Sequence, residues 1–73
     1  MSNDREMTLG EQRVRMTFNP SDNADVDALK AKTAELIDMC EALKRKDGRL
    51  AALAQTAYEE AAMWAVKAAT AGT

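Results

Sequence analysis

Four cations, Lys44, Arg45, Lys46 and Arg49, flank a single Asp47-Gly48 step, and Arg49 follows directly on the glycine. A guanidinium at the head of a helix lies beside free backbone N–H groups, and both suit a phosphate or another anion. Lys30 and Lys32 stand upstream, near the start of an earlier periodic stretch. Phe18 is an isolated aromatic just before Asn19-Pro20. It suits stacking on a base as readily as closing one end of a core. Solvated charge and ordinary packing explain the same residues in a monomer, so both readings stand. Catalysis has no comparable support. The chain has no histidine and one cysteine, Cys40, and its carboxylates and lysines form no nucleophile–base–orienter set. A zinc site lacks its usual ligands, no glycine-rich phosphate loop is present, and no cofactor is implied.

The elements that must position these residues are few. Seventy-three residues make one domain at most, and a chain of that size buries a modest fraction of its surface. A lone cysteine excludes an internal disulfide, so oligomerisation is the expected source of extra burial. A net charge of −2 gives no signal for polymeric nucleic acid or an acidic membrane. No apolar run approaches the length of a membrane span, and the polar start does not resemble a signal peptide. The cytoplasm is the expected compartment.

Residues 1–12 are polar and without period, which predicts a flexible tail. Arg13-Val14-Arg15-Met16-Thr17-Phe18 alternates polar with apolar residues, which predicts a short extended arm and closes an N-terminal region at 1–18. Asn19-Pro20-Ser21-Asp22-Asn23 is a break rich in helix caps, and it opens a hairpin domain over 19–73. Val26, Leu29, Thr33, Leu36, Cys40 and Leu43 recur at helical spacing, predicting a first helix over about 23–46. Gly48 is expected to end it in the left-handed conformation. Leu50, Ala54, Ala57, Ala61, Trp64 and Ala68 predict a second helix over about 49–70, and so short a connection makes the pair antiparallel. The fold class is an all-α hairpin with a short extended arm, assembled into a homo-oligomeric bundle. Leu36, Leu43, Ala61 and above all Trp64 are expected at the core or subunit interface. Cys40 is expected to be buried and inert, and Glu60 lies at the edge of the packed face or in solvent. Glu41 is within reach of Lys44 or Arg45.

Phe18-Asn19-Pro20-Ser21, the Gly48-Arg49 step and Glu59-Glu60-Ala61-Ala62-Met63-Trp64-Ala65-Val66-Lys67-Ala68 together resemble one small family. It is the helical-hairpin family of phage anti-defence sponges, and the likeness covers about Phe18 to Thr70. The resemblance implies a non-enzymatic protein that sequesters cyclic di- or trinucleotide messengers of the anti-phage CBASS system, in the host cytoplasm. It implies compact homohexamers, with Phe18 stacking on a base, Lys30 or Lys32 facing phosphate, and Arg49 contributing from the second helix. Family members that bind cyclic ADP-ribose isomers carry a larger β-rich part for which this chain has no room. The cyclic-oligonucleotide branch is therefore the nearer one, with a cyclic ADP-ribose sponge and a plain adaptor hairpin as alternatives.

Overall fold

The computed structural model describes residues 6–16 and 23–71. It contains three helices, α1 (Leu9–Val14), α2 (Ala24–Leu43) and α3 (Gly48–Ala69). Helix α2 starts where expected, because the Asn23 side chain accepts from the Asp25 and Val26 N–H groups at 2.8 and 3.2 Å. Asp25 and Asp27 in its first turn oppose the helix dipole favourably. The tip differs from expectation in one respect. Gly48 does not supply a left-handed terminus; it is the first residue of α3, and Asp47 caps that helix by accepting from Leu50 N–H at 2.9 Å. A carboxylate on an orphan N–H stabilises the helix start directly, so the turn needs no special glycine geometry.

The expected extended arm is a helix instead. Thr8-Leu9-Gly10-Glu11 forms a capping box: Thr8 Oγ1 accepts from Glu11 N–H at 3.0 Å, and Thr8 N–H donates to Glu11 Oε1 at 2.9 Å. Two orphan donors are thereby satisfied reciprocally. Alternation from Arg13 onward predicted a strand, but Val14 is the last helical residue and is buried, while Arg15 turns left-handed at φ 57°. A non-glycine residue there is uncommon. It is held by its own N–H, which donates to the Gln12 carbonyl at 3.2 Å, by Met16 N–H, which donates to the Glu11 carbonyl at 3.2 Å, and by Lys30 Nζ, which donates to the Arg15 carbonyl at 2.9 Å. The Phe18 end of the expected arm lies outside the described residues. Among those residues no strand occurs, in keeping with the all-α class.

α1 rests on α2 through its backbone. A Cβ built on Gly10 would stand 2.0 Å from the Ala34 carbonyl oxygen, and Gly10 N–H donates to Asp38 Oδ1 at 2.7 Å. The core below it gathers Val14, Ala34, Ile37 and Ala62, with Leu9, Met16 and Tyr58 packed around them. Arg13 ties α1 to α3, its Nε and Nη2 reaching Glu59 Oε1 at 3.0 and 2.7 Å. Nearer the tip, fully buried Gln55 crosses from α3 to α2 and donates to the Ile37 carbonyl at 3.1 Å and Glu41 Oε1 at 2.9 Å. Its own side-chain oxygen has no partner. Gln55, followed by Lys44 at 2.9 Å, holds the Glu41 carboxyl below its ordinary range.

The buried face of α3 is shifted by one residue from the expected one. Ala51, Gln55 and Ala62 are buried, with Tyr58 partly so, each directly following Leu50, Ala54, Ala61 and Ala57 of the expected stripe. On α2 the buried residues are Val26, Lys30, Ala34, Ile37 and Cys40, which leaves Leu36 and Leu43 exposed. Trp64 is 59% exposed, its ring under Lys67 Nζ at 5.5 Å from the centroid. Within one chain, therefore, Trp64, Leu36, Leu43 and Ala61 are outside the core. The alanine-rich helix offers two apolar stripes one residue apart. The smaller side chains pack inward because they let the helices approach.

The Gly10 contact yields a direct test. Gly10→Ala should cost about 1–3 kcal/mol through overpacking against backbone that cannot yield, and should abolish amide-exchange protection across residues 9–16. Unchanged melting and protection would show that α1 does not depend on this contact.

Candidate functional site

Undocked, α1 is a six-residue helix too short to persist alone. Docked, it closes one side of a cavity of about 360 Å³, at the lower end of the range for small-molecule sites. Arg13 and Arg15 come from α1 and its cap, Lys30 from α2, and Glu59 from α3; Val14, Ala62, Met63 and Val66 form the apolar part. Three cations and one carboxylate on an apolar floor suit a ligand that is anionic in one part and flat in another.

Each polar group has a defined state. Lys30 is 5% exposed, and its ammonium sits on the left-handed turn at Arg15. Burial is the main cause that pushes its pKa below the ordinary lysine value, the Arg15 charge adds to this, and Asp27 partly opposes it. A cation kept in so little solvent needs acceptor oxygens around it, and phosphate oxygens are the strongest an organic ligand brings. The Arg13–Glu59 pair is more open, with side chains 27% and 40% exposed.

Of the residues expected to bind ligand, the structure places Lys30 in this cavity. Lys32 is exposed and lines a shallow depression of about 470 Å³ with Asp25, Leu29 and alanines of both helices. Arg49 is exposed in the first turn of α3. The α2 run from Lys30 to Leu43 alone measures about 20 Å at 1.5 Å per residue, so one chain does not bring Arg49 and Lys30 together. Phe18 lies outside the described residues. Arg13, Arg15 and Glu59 were missed as site residues, although the Arg13-x-Arg15 spacing was visible. Its alternation pointed to a strand, whereas the capping box at Thr8 and Glu11 was the signal for a helix that brings both arginines to one wall.

The family model for the Acb2/Tad1 hairpin domain matches residues 10–70, which take in α1 from Gly10 onward, the cavity and both long helices. The chain belongs to this family. No curated protein and no solved structure matches it. The Acb2/Tad1 hairpin family sequesters cyclic oligonucleotide immune signals without catalysis, so this chain is a non-enzymatic protein. Among the described residues no group of histidine, cysteine, aspartate and glutamate could hold a metal ion. None of the helices is long and apolar enough to cross a membrane.

The state of Lys30 carries a pH signature. A lysine whose folded pKa lies below its unfolded value opposes folding while charged, and that cost is relieved as pH rises from the folded value toward 10.5. Urea unfolding of the wild type and Lys30→Met should therefore show the wild type gaining stability relative to the variant between pH 7 and pH 10. A difference that stays constant would mean that the Lys30 ammonium is fully hydrated.

Proposed function

We propose that this hairpin captures a cyclic di- or trinucleotide in the cavity beside α1 and thereby withholds it from an immune effector. The observation that carries the reading is the meeting of Arg13, Arg15 and Lys30 in one cavity of a chain that belongs to a sponge family. A cyclic oligonucleotide offers phosphates to the cations and base faces to the apolar floor. Phe18 follows Met16 by two residues, at most ~7 Å of extended chain, and is the candidate for stacking on a base. The site of action is the host cytoplasm, where such messengers are made.

Self-association completes the proposal. The apolar residues left outside the core are not scattered. At about 100° per residue, Leu36, Met39 and Leu43 on α2 and Leu50, Leu53 and Trp64 on α3 lie roughly 130° from their helix's buried face, in the same rotational sense. In antiparallel helices that puts both stripes on one broad side, opposite Met63 and the cavity. So much exposed apolar surface calls for a cover, and the cover we propose is further copies of the chain, most simply six. Lys32 lies on that side, and Arg49 at the tip would reach a ligand only from a neighbouring subunit.

The test is capture and release. The protein is incubated with a panel of cyclic di- and trinucleotides and cyclic ADP-ribose isomers, freed of unbound ligand, and heated. Recovery of an intact cyclic oligonucleotide is expected; a chemically changed nucleotide, or none, would contradict the proposal. Recovery of cyclic ADP-ribose alone would move the chain to the other ligand class. Arg15→Gly removes the guanidinium while leaving the left-handed turn unstrained. It should weaken binding by ~1.5–3 kcal/mol, roughly ten-fold to a hundred-fold, without changing the subunit count.

A further inference from the structure

Glu59 is out of place in a cavity for a polyanion. It stands among Arg13, Arg15 and Lys30, where its charge lowers the attraction for phosphate. Its link to Arg13 accounts for only half of the carboxylate. Both guanidinium contacts fall on Oε1, from Nε at 3.0 Å and Nη2 at 2.7 Å. Oε2 makes no hydrogen bond among the described residues, and the side chain keeps 40% exposure. The two-pronged hold from Arg13 fixes the carboxylate's direction, and it leaves Oε2 as an acceptor aligned by its own salt bridge.

An ionised carboxylate accepts and does not donate. That restricts which base edge it tolerates. Guanine presents N1–H and the N2 amino group side by side, two donors toward one acceptor. Adenine presents its N6 amino group next to the N1 lone pair, so a carboxylate there meets one donor and one repulsive acceptor. We infer that Glu59, oriented by Arg13, reads the Watson–Crick edge of a guanine in the bound ring, making this a guanine-selective site.

This rests on the cyclic-oligonucleotide reading above. The experiment separates the two by comparing rings of equal size and charge that differ only in base: the guanine and adenine homodinucleotides, and the matching homotrinucleotides. The wild type should bind a guanine ring at least ten-fold more tightly than its adenine counterpart, in keeping with the discrimination carried by a paired hydrogen-bonding edge. Glu59→Gln keeps an oxygen for Arg13 and can turn its amide nitrogen toward the ligand, so the guanine-to-adenine ratio should fall toward one or invert. Amide-exchange protection over residues 9–16 reports that α1 stays docked. A purely structural role would weaken both rings alike, and simple charge removal would strengthen both alike; either result, with the ratio unmoved, overturns the assignment. Should Glu59→Gln undock α1, the wild type tests the same claim with the hypoxanthine ring, which keeps N1–H but lacks the N2 amino group and should bind more weakly than the guanine ring; equal binding of the two overturns the assignment. Wild-type binding without base preference overturns the inference and leaves the sponge function intact. Binding of neither base in either ring size overturns both.

Discussion

The structure depends on one close approach, the backbone of α1 lying against the Ala34 carbonyl at a point where only glycine fits. From it follow the Gly10–Asp38 hydrogen bond, the burial of Val14 and the reach of Arg13 to Glu59. The left-handed residue Arg15 then presents its carbonyl to Lys30. A six-residue helix has little stability of its own. Here it gains a reciprocal cap at one end and a lysine on its last turn at the other. Between these ends it encloses the space in which three cations converge. Without α1 the hairpin would have a second exposed apolar face and would lack this cationic cavity.

That arrangement divides the molecule into two sides with different chemistry. The side bearing α1 is cationic and concave. The opposite side carries leucines, Met39 and Trp64, which the single chain leaves exposed. A flat body of 42 × 34 × 12 Å cannot fold that second side inward. The same limitation explains Gln55, a buried polar residue where an aliphatic one would pack without an orphaned oxygen. Its amide fastens the two long helices through a backbone carbonyl and Glu41, which a thin core of alanines does less well. Val14 and Ala62 serve both the core and the cavity wall, so the packing of α1 and the shape of the cavity are set together.

Much of this was legible in the sequence, and the exceptions share a cause. Two long helices, a short antiparallel connection and a buried Cys40 follow from helical period and turn chemistry, although the first helix ends at Leu43 rather than 46 and Gly48 already belongs to the second. The Glu41–Lys44 pair, seen at 2.9 Å, follows from the same period. The face of α3 does not follow, because alanine is apolar on every side of the helix. Period selected the stripe with the largest residues, Leu50 and Trp64, whereas close packing selected Ala51 and Ala62 beside Gln55 and Tyr58. Helix α1 was hidden by an alternation over Arg13–Met16 that resembled a strand, although Thr8 and Glu11 carried the capping signal. Of the candidate site, Lys30 was named from its place near a helix start. Its partners were not, because Arg13, Arg15 and Glu59 meet only through a tertiary contact centred on a glycine.

In the proposed binding mode, α1 and the two long helices hold the ligand between them on the side away from the apolar stripes. Amide hydrogen exchange of the assembled protein, with and without a bound cyclic oligonucleotide, tests it most directly. New protection is expected at residues 13–16, around Lys30 and across 59–66, with little change along the Leu36–Leu43 segment beyond that of the unliganded assembly. Protection confined to the hairpin tip around Arg49, with α1 unaffected, would contradict it.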